Sequence, residues 1–326
     1  MTQYLRYCSV SCGGQTFNYD ASTEEEGLRI VFEFHPKSMQ SPGVGIITIK
    51  NPLPAHATPL IRKEFGEVVV DAGYVDGHGV IFRGNVKWGV YGRESPTDTQ
   101  VIIYAAVADQ AHNYATVSTT FPPGSTPQQH FDAALNAMNP MGVTKGYVGV
   151  DLSKPVYSRS VTLFGMARDV LANIAKSKNA MLSYQQQQVV MVPKGGSLPG
   201  GPIALNSLTG LVGMPTQTTS GIMARCLINP NIKIHSQVKI DQKDIQGGLP
   251  PFLGPSDVAL GQTFLAPTAA DGLYTVYKID IYGDTRGSPW YMDLALYATN
   301  VSYQSPDEAT AVANYSVGAA PYLGPN

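Results

Sequence analysis

The sequence predicts a mainly β fold with an α+β insertion. Strand-like alternation fills both ends of the chain, and helical spacing appears only in the middle. Near the C-terminal end, apolar and polar residues alternate over residues 274–282, stop at the turn 283–287 and resume at Trp290. Residues 221–228 alternate in the same way. Two pairs of antiparallel strands are therefore expected in the last third of the chain.

The first 110 residues also predict strands, because short β-branched runs are separated there by glycine and proline. A hairpin is expected where two such runs flank a loop rich in Pro, Asp and Thr, residues 92–99. These features predict a sheet domain with long connections. The runs are residues 28–35, 45–50, 67–75, 80–91 and 100–107.

The middle of the chain predicts two helices and a hairpin. Thr126 followed by Pro127 is typical of a helix start, and the helix should end at residues 139–140, Asn-Pro. His130 is expected on its exposed side. A second helix over residues 162–177 has one apolar stripe and lysines at its C-terminal end. Residues 180–184 and 189–193 then form a hairpin, and a Gly/Pro linker follows at 194–202.

Composition limits the possible functions. The chain has 326 residues, 43% of them apolar, without a long apolar run, so no membrane interaction is expected. Only 14% of the residues are charged, which favours an assembly component whose surface is covered by partners. The net charge of −2 and the lack of a basic cluster predict no specific nucleic-acid binding. The N-terminus lacks a secretory pattern, so folding in a cytoplasm is expected.

No residues combine into a convincing catalytic, cofactor-binding or metal site, and none is predicted. His78 follows Asp71 and Asp76 closely, but Asp76-Gly77 between apolar runs is a strong hairpin signal. The acidic residues 24–26 are interpreted as a solvated turn. Three cysteines, Cys8, Cys12 and Cys226, cannot all pair within one chain and are expected to be reduced and partly buried.

Two long segments carry a family resemblance. The pattern GLxGxPT…xxRCLxNPxI around residues 210–232, followed by GxYxVxxxxxxGDTRGxxW at 272–290, resembles the baseplate hub proteins of contractile-tailed bacteriophages of the Mu-like and T4-like kind. The pattern FxxARDVLxxIAxxxxAxLSYxxxQVVMVP at 164–193 is similar to their middle domain.

This resemblance implies two tail-tube-like β-barrel domains and a helix-on-hairpin α/β unit. The expected division is 1–110 for the first tube-like domain, 111–203 for the inserted platform, 204–303 for the second tube-like domain and 304–326 for a C-terminal arm. It also implies a homotrimeric adaptor between a hexameric tail tube, or its initiator protein, and a trimeric central spike. Neighbouring baseplate proteins would contact the platform of this virion component, which is assembled in the host cytoplasm.

A weak internal repeat agrees with that implication. Residues 86–105 read VKWGVYG, a polar loop and VIIYA, while residues 277–298 read YKIDIYG, a polar loop and LALYA. Two similar hairpins in two similar domains would let a trimer present six similar units to a hexameric tube. Chance similarity between hairpins is the competing explanation.

The structural role has two alternatives, a tail-associated cell-wall hydrolase and a hub or tube-initiator subunit of a tailocin. No enzyme activity is expected, because the motifs of hydrolases are absent. Arg286 is singled out in the GDTRG turn because Asp284 can hold it in place. The full set of predicted interface residues is Pro215, Arg225, Asp284, Arg286, Tyr315 and Tyr322.

Overall fold

The computed structural model describes residues 4–23, 27–38, 41–62, 64–218, 221–241, 244–245, 269 and 271–299. The predicted mainly β fold with helices in its middle is confirmed. The strands are β1 (Arg6–Cys12), β2 (Gln15–Asp20), β3 (Ile30–His35), β4 (Val44–Lys50), β5 (Glu67–Tyr74), β6 (Gly77–Arg93), β7 (Thr99–Ala106), β8 (Thr116–Phe121), β9 (Thr144–Val148), β10 (Val161–Met166), β11 (Ala180–Gln185), β12 (Gln188–Pro193), β13 (Ile203–Ala204), β14 (Leu211–Thr218), β15 (Gly221–Leu227), β16 (Gln237–Lys239), β17 (Leu273–Asp284) and β18 (Trp290–Ala298). The helices are α1 (Pro54–Arg62), α2 (Asp109–Tyr114), α3 (Pro127–Met138) and α4 (Ala167–Ser177).

One thirteen-stranded sheet contains strands from both ends of the chain. Its order is β14-β15-β18-β17-β3-β4-β7-β6-β5-β1-β2, with β16 beside β17 and β13 beside β16. The two ends meet where β3 pairs with β17 over four residues, from Ile281 opposite Phe34 to Asp284 opposite Val31. We call this pairing the internal seam. Among the described strands the sheet path does not close on itself, and the predicted domain boundaries remain predictions.

The core lies on one face of this sheet. Ile30, Phe32 and Phe34 alternate along β3 with residues that face away from the core. Phe32 stacks on Phe34 with ring centroids 5.1 Å apart, and Phe34 stacks on Phe82 at 4.5 Å. Gly283 is required beside them, because a Cβ atom there would lie 2.1 Å from the Phe32 ring. The close packing of Gly283 against the Phe32 ring therefore fixes where β17 pairs with β3.

The middle of the chain forms two smaller sheets under α3 and α4. The start of α3 is as predicted, since Thr126 and Gln129 form a reciprocal capping box. The hairpin of β11 and β12 is also confirmed, and β9 adds to it in parallel, which was not predicted. The second helix was predicted to begin too early. Residues Val161–Met166 pair with β8 as a strand, and Gly165 has φ 138°, which no helix allows.

The predicted position of His130 was wrong. Its side chain is buried and lies between the rings of Phe121 and Tyr157, at 4.7 Å and 4.9 Å between centroids. Nε2 is 3.2 Å from Oγ of Ser125. Burial lowers the pKa of His130 because it disfavours the imidazolium. The helical pattern alone could not show that this polar residue has a polar partner in the core.

The internal repeat extends to five strands. The order β3-β4-β7-β6-β5 in the first half of the sheet is matched by β14-β15-β18-β17-β16 in the second half. In each hairpin the long strand bulges, at Lys87 between Val86 and Trp88 and at Tyr277 between Val276 and Lys278. We call the two five-stranded sets the first and second repeat.

Backbone contacts at the two bulges also match. In the first repeat, the N–H of Phe65 donates to the carbonyl of Val86, whose own N–H donates to Gly66, both at 2.8 Å. In the second repeat, the N–H of His235 donates to the carbonyl of Val276 at 2.7 Å, and the N–H of Val276 donates to Ser236 at 3.0 Å. Phe65 and His235 both have positive φ, 58° and 68°. Five strands, one bulge and one left-handed residue in the same arrangement indicate a duplicated unit.

Candidate assembly interface

Asp284 lies in the predicted GDTRG turn, and its side chain is buried. Its carboxylate accepts hydrogen bonds from Nε and Nη2 of Arg29, at 3.0 Å and 2.6 Å, and from the backbone N–H of Arg286 at 3.0 Å. Burial by itself would raise the pKa of Asp284, but the Arg29 guanidinium and the backbone N–H groups of Arg286 and Gly287 outweigh it and leave the pKa lowered. The carboxylate is therefore used inside the subunit.

Two further arginines attach this turn to the N-terminal part of the chain. Nη1 of Arg6 donates to the carbonyl oxygens of Asp284 at 2.7 Å and of Gly287 at 2.5 Å. Nη2 of Arg286 donates to the carbonyl of Gly27 at 2.8 Å. Asp284 thus positions Arg286 through a backbone bond, and Arg286 stays exposed. We call Arg6, Arg29 and Asp284 the clasp of the internal seam.

A second polar cluster lies at the other end of the internal seam. His35 contacts two carboxylates, Oδ1 of Asp280 at 2.7 Å through Nδ1 and Oε1 of Glu33 at 2.8 Å through Nε2. Nζ of Lys278 lies 2.8 Å from the other oxygen of Asp280. The bond to Asp280 is the main cause that raises the pKa of His35, and burial opposes it. The four ladder pairs therefore have an ionic contact at both ends.

Arg225 and Pro215 lie near the free end of the second repeat. Arg225 makes a bidentate ion pair with Asp293 on the neighbouring strand, at 2.6 Å and 2.9 Å, and its guanidinium lies 4.1 Å from the Tyr291 ring centroid. Pro215 is buried in β14, inside a register shift between Val212 and Thr216. The shift is compatible with proline because the ladder is interrupted there.

Two stretches of the repeated block, β14 and the distal half of β6, have an edge without a neighbour among the described strands; we call them the open edges. No described strand pairs with β14 on its outer side, or with β6 beyond Asn85, where β5 ends its pairing. Large apolar side chains are exposed at both places, whereas an uncovered edge in a monomer is usually short or charged. They are Trp88 (51%), Val90 (44%) and Tyr91 (36%) at the first edge, and Val212 (41%) and Met214 (62%) at the second, where Leu208 (90%) is exposed in the turn before β14.

The sequence interpretation missed these edges and the clasp. The clasp joins Arg6 and Arg29 to a turn more than 250 residues away, and no local pattern signals such a pairing. The first edge had a visible signal, since residues 88–92, WGVYG, include none of the charges that protect an edge strand. Tyr315 and Tyr322 lie outside the described residues. The assignment of the six residues to an interface stays a prediction.

The geometry gives little support to a catalytic site at His78. Nδ1 of His78 lies 2.8 Å from Oδ1 of Asp71, and the ring stacks on Tyr7 at 4.0 Å. The predicted turn is confirmed, because Tyr74 pairs with Gly77 across it. Within the described ranges, no three His, Cys, Asp or Glu side chains form a metal-binding group, and no helix is long and apolar enough to cross a membrane. All three cysteines are free and buried.

Known structures share this architecture. The 43 kDa tail protein of prophage MuSo2 from Shewanella oneidensis matches with a TM-score of 0.57 at 11% identity, over 90% of this chain and 98% of that one. A tail protein from Neisseria meningitidis MC58 matches with 0.55 at 9% identity, over 90% and 96%. An E. coli type VI secretion component described as similar to T4 tail proteins gp27 and gp5 matches with 0.52 at 8% identity, over 89% and 76%.

The chain therefore has the fold of phage tail proteins and of a type VI secretion component. No family model matches the sequence, and no curated protein matches it. The likeness is one of backbone arrangement, since the identities are near 10%. The predicted resemblance to tail hub proteins agrees with these structural neighbours.

Proposed function

We propose that this protein is a structural baseplate hub of a phage-like contractile tail. Three copies would form a ring between the hexameric tail tube, or its initiator protein, and a trimeric central spike. The tail-protein fold supports this role, and the duplication of the five-stranded unit is the observation that carries it.

The duplication solves a symmetry mismatch. A ring of three chains, each with two matching units, presents six similar positions to a hexameric partner on one side while keeping threefold symmetry on the other. Within the chain, the two repeats already lie side by side in one sheet through the internal seam. Two edges that carry exposed apolar side chains then remain without a neighbour among the described strands, as a closed heterologous ring requires.

The remaining parts of the chain have assigned places in this proposal. The middle unit, with α3, α4 and their sheets, lies outside the ten repeated strands and would serve as the platform for neighbouring baseplate proteins. Contacts to tube and spike would rest on backbone pairing and broad apolar area rather than on charge. The assembled particle would form in the host cytoplasm.

Two other contexts remain as second candidates. A hub of a tailocin would use the same ring, and the genes next to this one would distinguish it from a phage hub. A tail-associated hydrolase would need catalytic groups, for which His78 with Asp71 is the pair that the sequence singled out. Its exposed position at a hairpin turn favours the structural role.

A measurement of native mass tests the proposed trimer directly. The chain, alone and co-expressed with neighbouring tail genes, should give a species near three times 34.9 kDa in at least one sample. Replacement of both Val90 and Val212 by Asp should abolish that species, whereas Val156→Asp in the middle unit should not. A chain that stays monomeric in both samples contradicts the ring. Release of sugars from purified cell wall would favour the hydrolase.

A further inference from the structure

The internal seam gives the register of a contact between two copies. Because the two repeats match strand by strand, the strand that meets β3 inside the chain, the distal half of β17, has a counterpart in the distal half of β6. The strand it meets, β3, has a counterpart in β14. Both counterparts are the open edges described above, so each lacks the neighbour that its equivalent has among the described strands.

The correspondence can be made residue by residue. The two bulges align Lys87 with Tyr277, so Tyr91 matches Ile281 and Gly92 matches Tyr282. On the other side, β4 and β15 are both seven residues long, and their partners align Phe34 with Gln217 and Glu33 with Thr216. Ile281 pairs with Phe34 and Tyr282 pairs with Glu33 in the internal seam.

We infer that β6 of one copy pairs antiparallel with β14 of a second copy, with Tyr91 opposite Gln217 and Gly92 opposite Thr216. This inference rests on the proposed function and names the residues of its subunit contact. Further along, Glu94 corresponds to Asp284 and Val212 to Val31, so these two lie opposite each other. The register shift at residues 213–215 lies opposite Arg93.

Burial agrees with this assignment. Ile281 is 2% exposed where it is covered by β3, whereas its match Tyr91 is 36% exposed at the open edge. Val212 and Val90 are exposed on the two edges at 41% and 44%, and strand pairing would bring these edges together. The charges differ from those of the internal seam. Glu94, the counterpart of Asp284, forms an ion pair with Lys50 of its own copy at 2.5 Å, so the contact between copies does not need a clasp like that of Arg6, Arg29 and Asp284.

Paired cysteines test the register. The variants Tyr91→Cys with Gln217→Cys, and Gly92→Cys with Thr216→Cys, place sulfur atoms at facing positions of adjacent antiparallel strands, where a disulfide can form. The native Cys8, Cys12 and Cys226 are buried and should not compete. Mild oxidation of the full chain should convert most of the protein into covalent trimers in at least one variant, and non-reducing gels should show no larger ladder.

A slipped pair is the matched control. Tyr91→Cys with Thr216→Cys is displaced by one residue, so its side chains point to opposite faces and cross-linking should fall at least tenfold. A second control, Glu33→Cys with Tyr282→Cys, lies in the internal seam and should form a disulfide within one chain, without a change in mass. Single-cysteine variants, measured by native mass, show whether each substitution is tolerated.

The outcomes separate this inference from the hub proposal. A native trimer that cross-links in neither register variant, or as readily in the slipped pair, overturns the register and leaves the ring intact. A chain that is monomeric under all conditions of assembly overturns both. A closed trimer linked through the cysteines introduced at positions 91 and 217, or at positions 92 and 216, supports both.

Discussion

The two hairpins of the duplicated unit share their geometry and differ in their surroundings. The β17–β18 hairpin is covered on both sides, and its turn is held by the clasp of Arg6, Arg29 and Asp284. The β6–β7 hairpin has one edge that no described strand covers, and its turn contains exposed residues such as Asp98. The same backbone unit therefore serves once as an internal joint and once as a free surface.

The side chains of β6 and β17 that face away from the core also differ, in their polarity. By the matching bulges, Trp88 and Val90 of β6 occupy the positions of Lys278 and Asp280 in β17. Trp88 stacks on Tyr104 at 4.0 Å and stays half exposed, while Asp280 is tied to His35 and Lys278. Polar residues are matched within the chain in the covered repeat, whereas apolar ones are left available in the open repeat.

The largest expected difference concerns the two turns. Asp284→Asn should lower the free energy of unfolding by about 3 kcal/mol, since the buried carboxylate accepts charge-assisted hydrogen bonds from Arg29 and a further bond from the backbone N–H of Arg286, which a neutral amide cannot all replace. Asp98→Asn, in the exposed turn of the other hairpin, should unfold at the same urea concentration as the parent. Equal midpoints for both variants in urea titrations would show that the clasp does not stabilise the covered hairpin.

Acid should destabilise the fold through a buried histidine of the second repeat that has no counterpart in the first. His235 is fully buried, and burial lowers its pKa to about 4 from 6.5. Below pH 6.5 the unfolded chain takes up the proton first, so stability should fall by about 3 kcal/mol between pH 6.5 and pH 4 from this residue. His235→Phe, which copies Phe65 of the first repeat, should remove that component. Urea unfolding at about pH 7 and about pH 4 measures it, and an unchanged pH dependence in the variant refutes it.

Alanine substitutions at two glycines test the packing near the ends of the long strands β6 and β17. Gly283→Ala should cost about 2 kcal/mol, because the new methyl group would overlap the Phe32 ring. Gly92→Ala has no atom within 4 Å of its Cβ position and should be neutral or stabilising by about 0.5 kcal/mol. Thermal unfolding of the two variants gives the comparison. A destabilised Gly92→Ala chain would mean that this edge is already covered.

The smallest effect is expected at His35. Its pKa is raised, so its ion pairs contribute stability that is present below pH 6.5 and is lost as the pH rises through the folded-state pKa. His35→Gln should therefore cost about 1 kcal/mol at about pH 6 and less at about pH 9. The titration of His35 by NMR provides an independent reading. A cost that does not change with pH would assign His35 a packing role only.

Much of the fold could be predicted from the sequence, because alternation, proline and glycine determine strands locally. The hairpins, the capped start of α3 and the turn at Asp76-Gly77 were all found in this way. The repeat was also found, but letters matched Val86 to Tyr277, whereas the bulges match Lys87 to Tyr277. A bulge depends on cross-strand pairing, so its position has no clear local signature.

The candidate site was predicted less well than the fold. Asp284 and Arg286 were placed together correctly in a turn, but the arginine that pairs with the carboxylate is Arg29, from the other end of the chain. Helix α1, with Pro59 inside it, was hidden among β-rich segments because proline lowers helix propensity. Long-range pairs such as these are set by topology, which a linear pattern does not contain.

The duplication has a consequence for how the sequence can change. In a ring of six identical chains, every substitution appears at six places, and all six must tolerate it. Here a change at Trp88 leaves its counterpart Lys278 untouched, so one half of the chain can adapt to a new neighbour while the other preserves the joint that keeps the molecule whole. In the proposed ring of three chains, single substitutions would thus introduce threefold variation on a nearly sixfold frame.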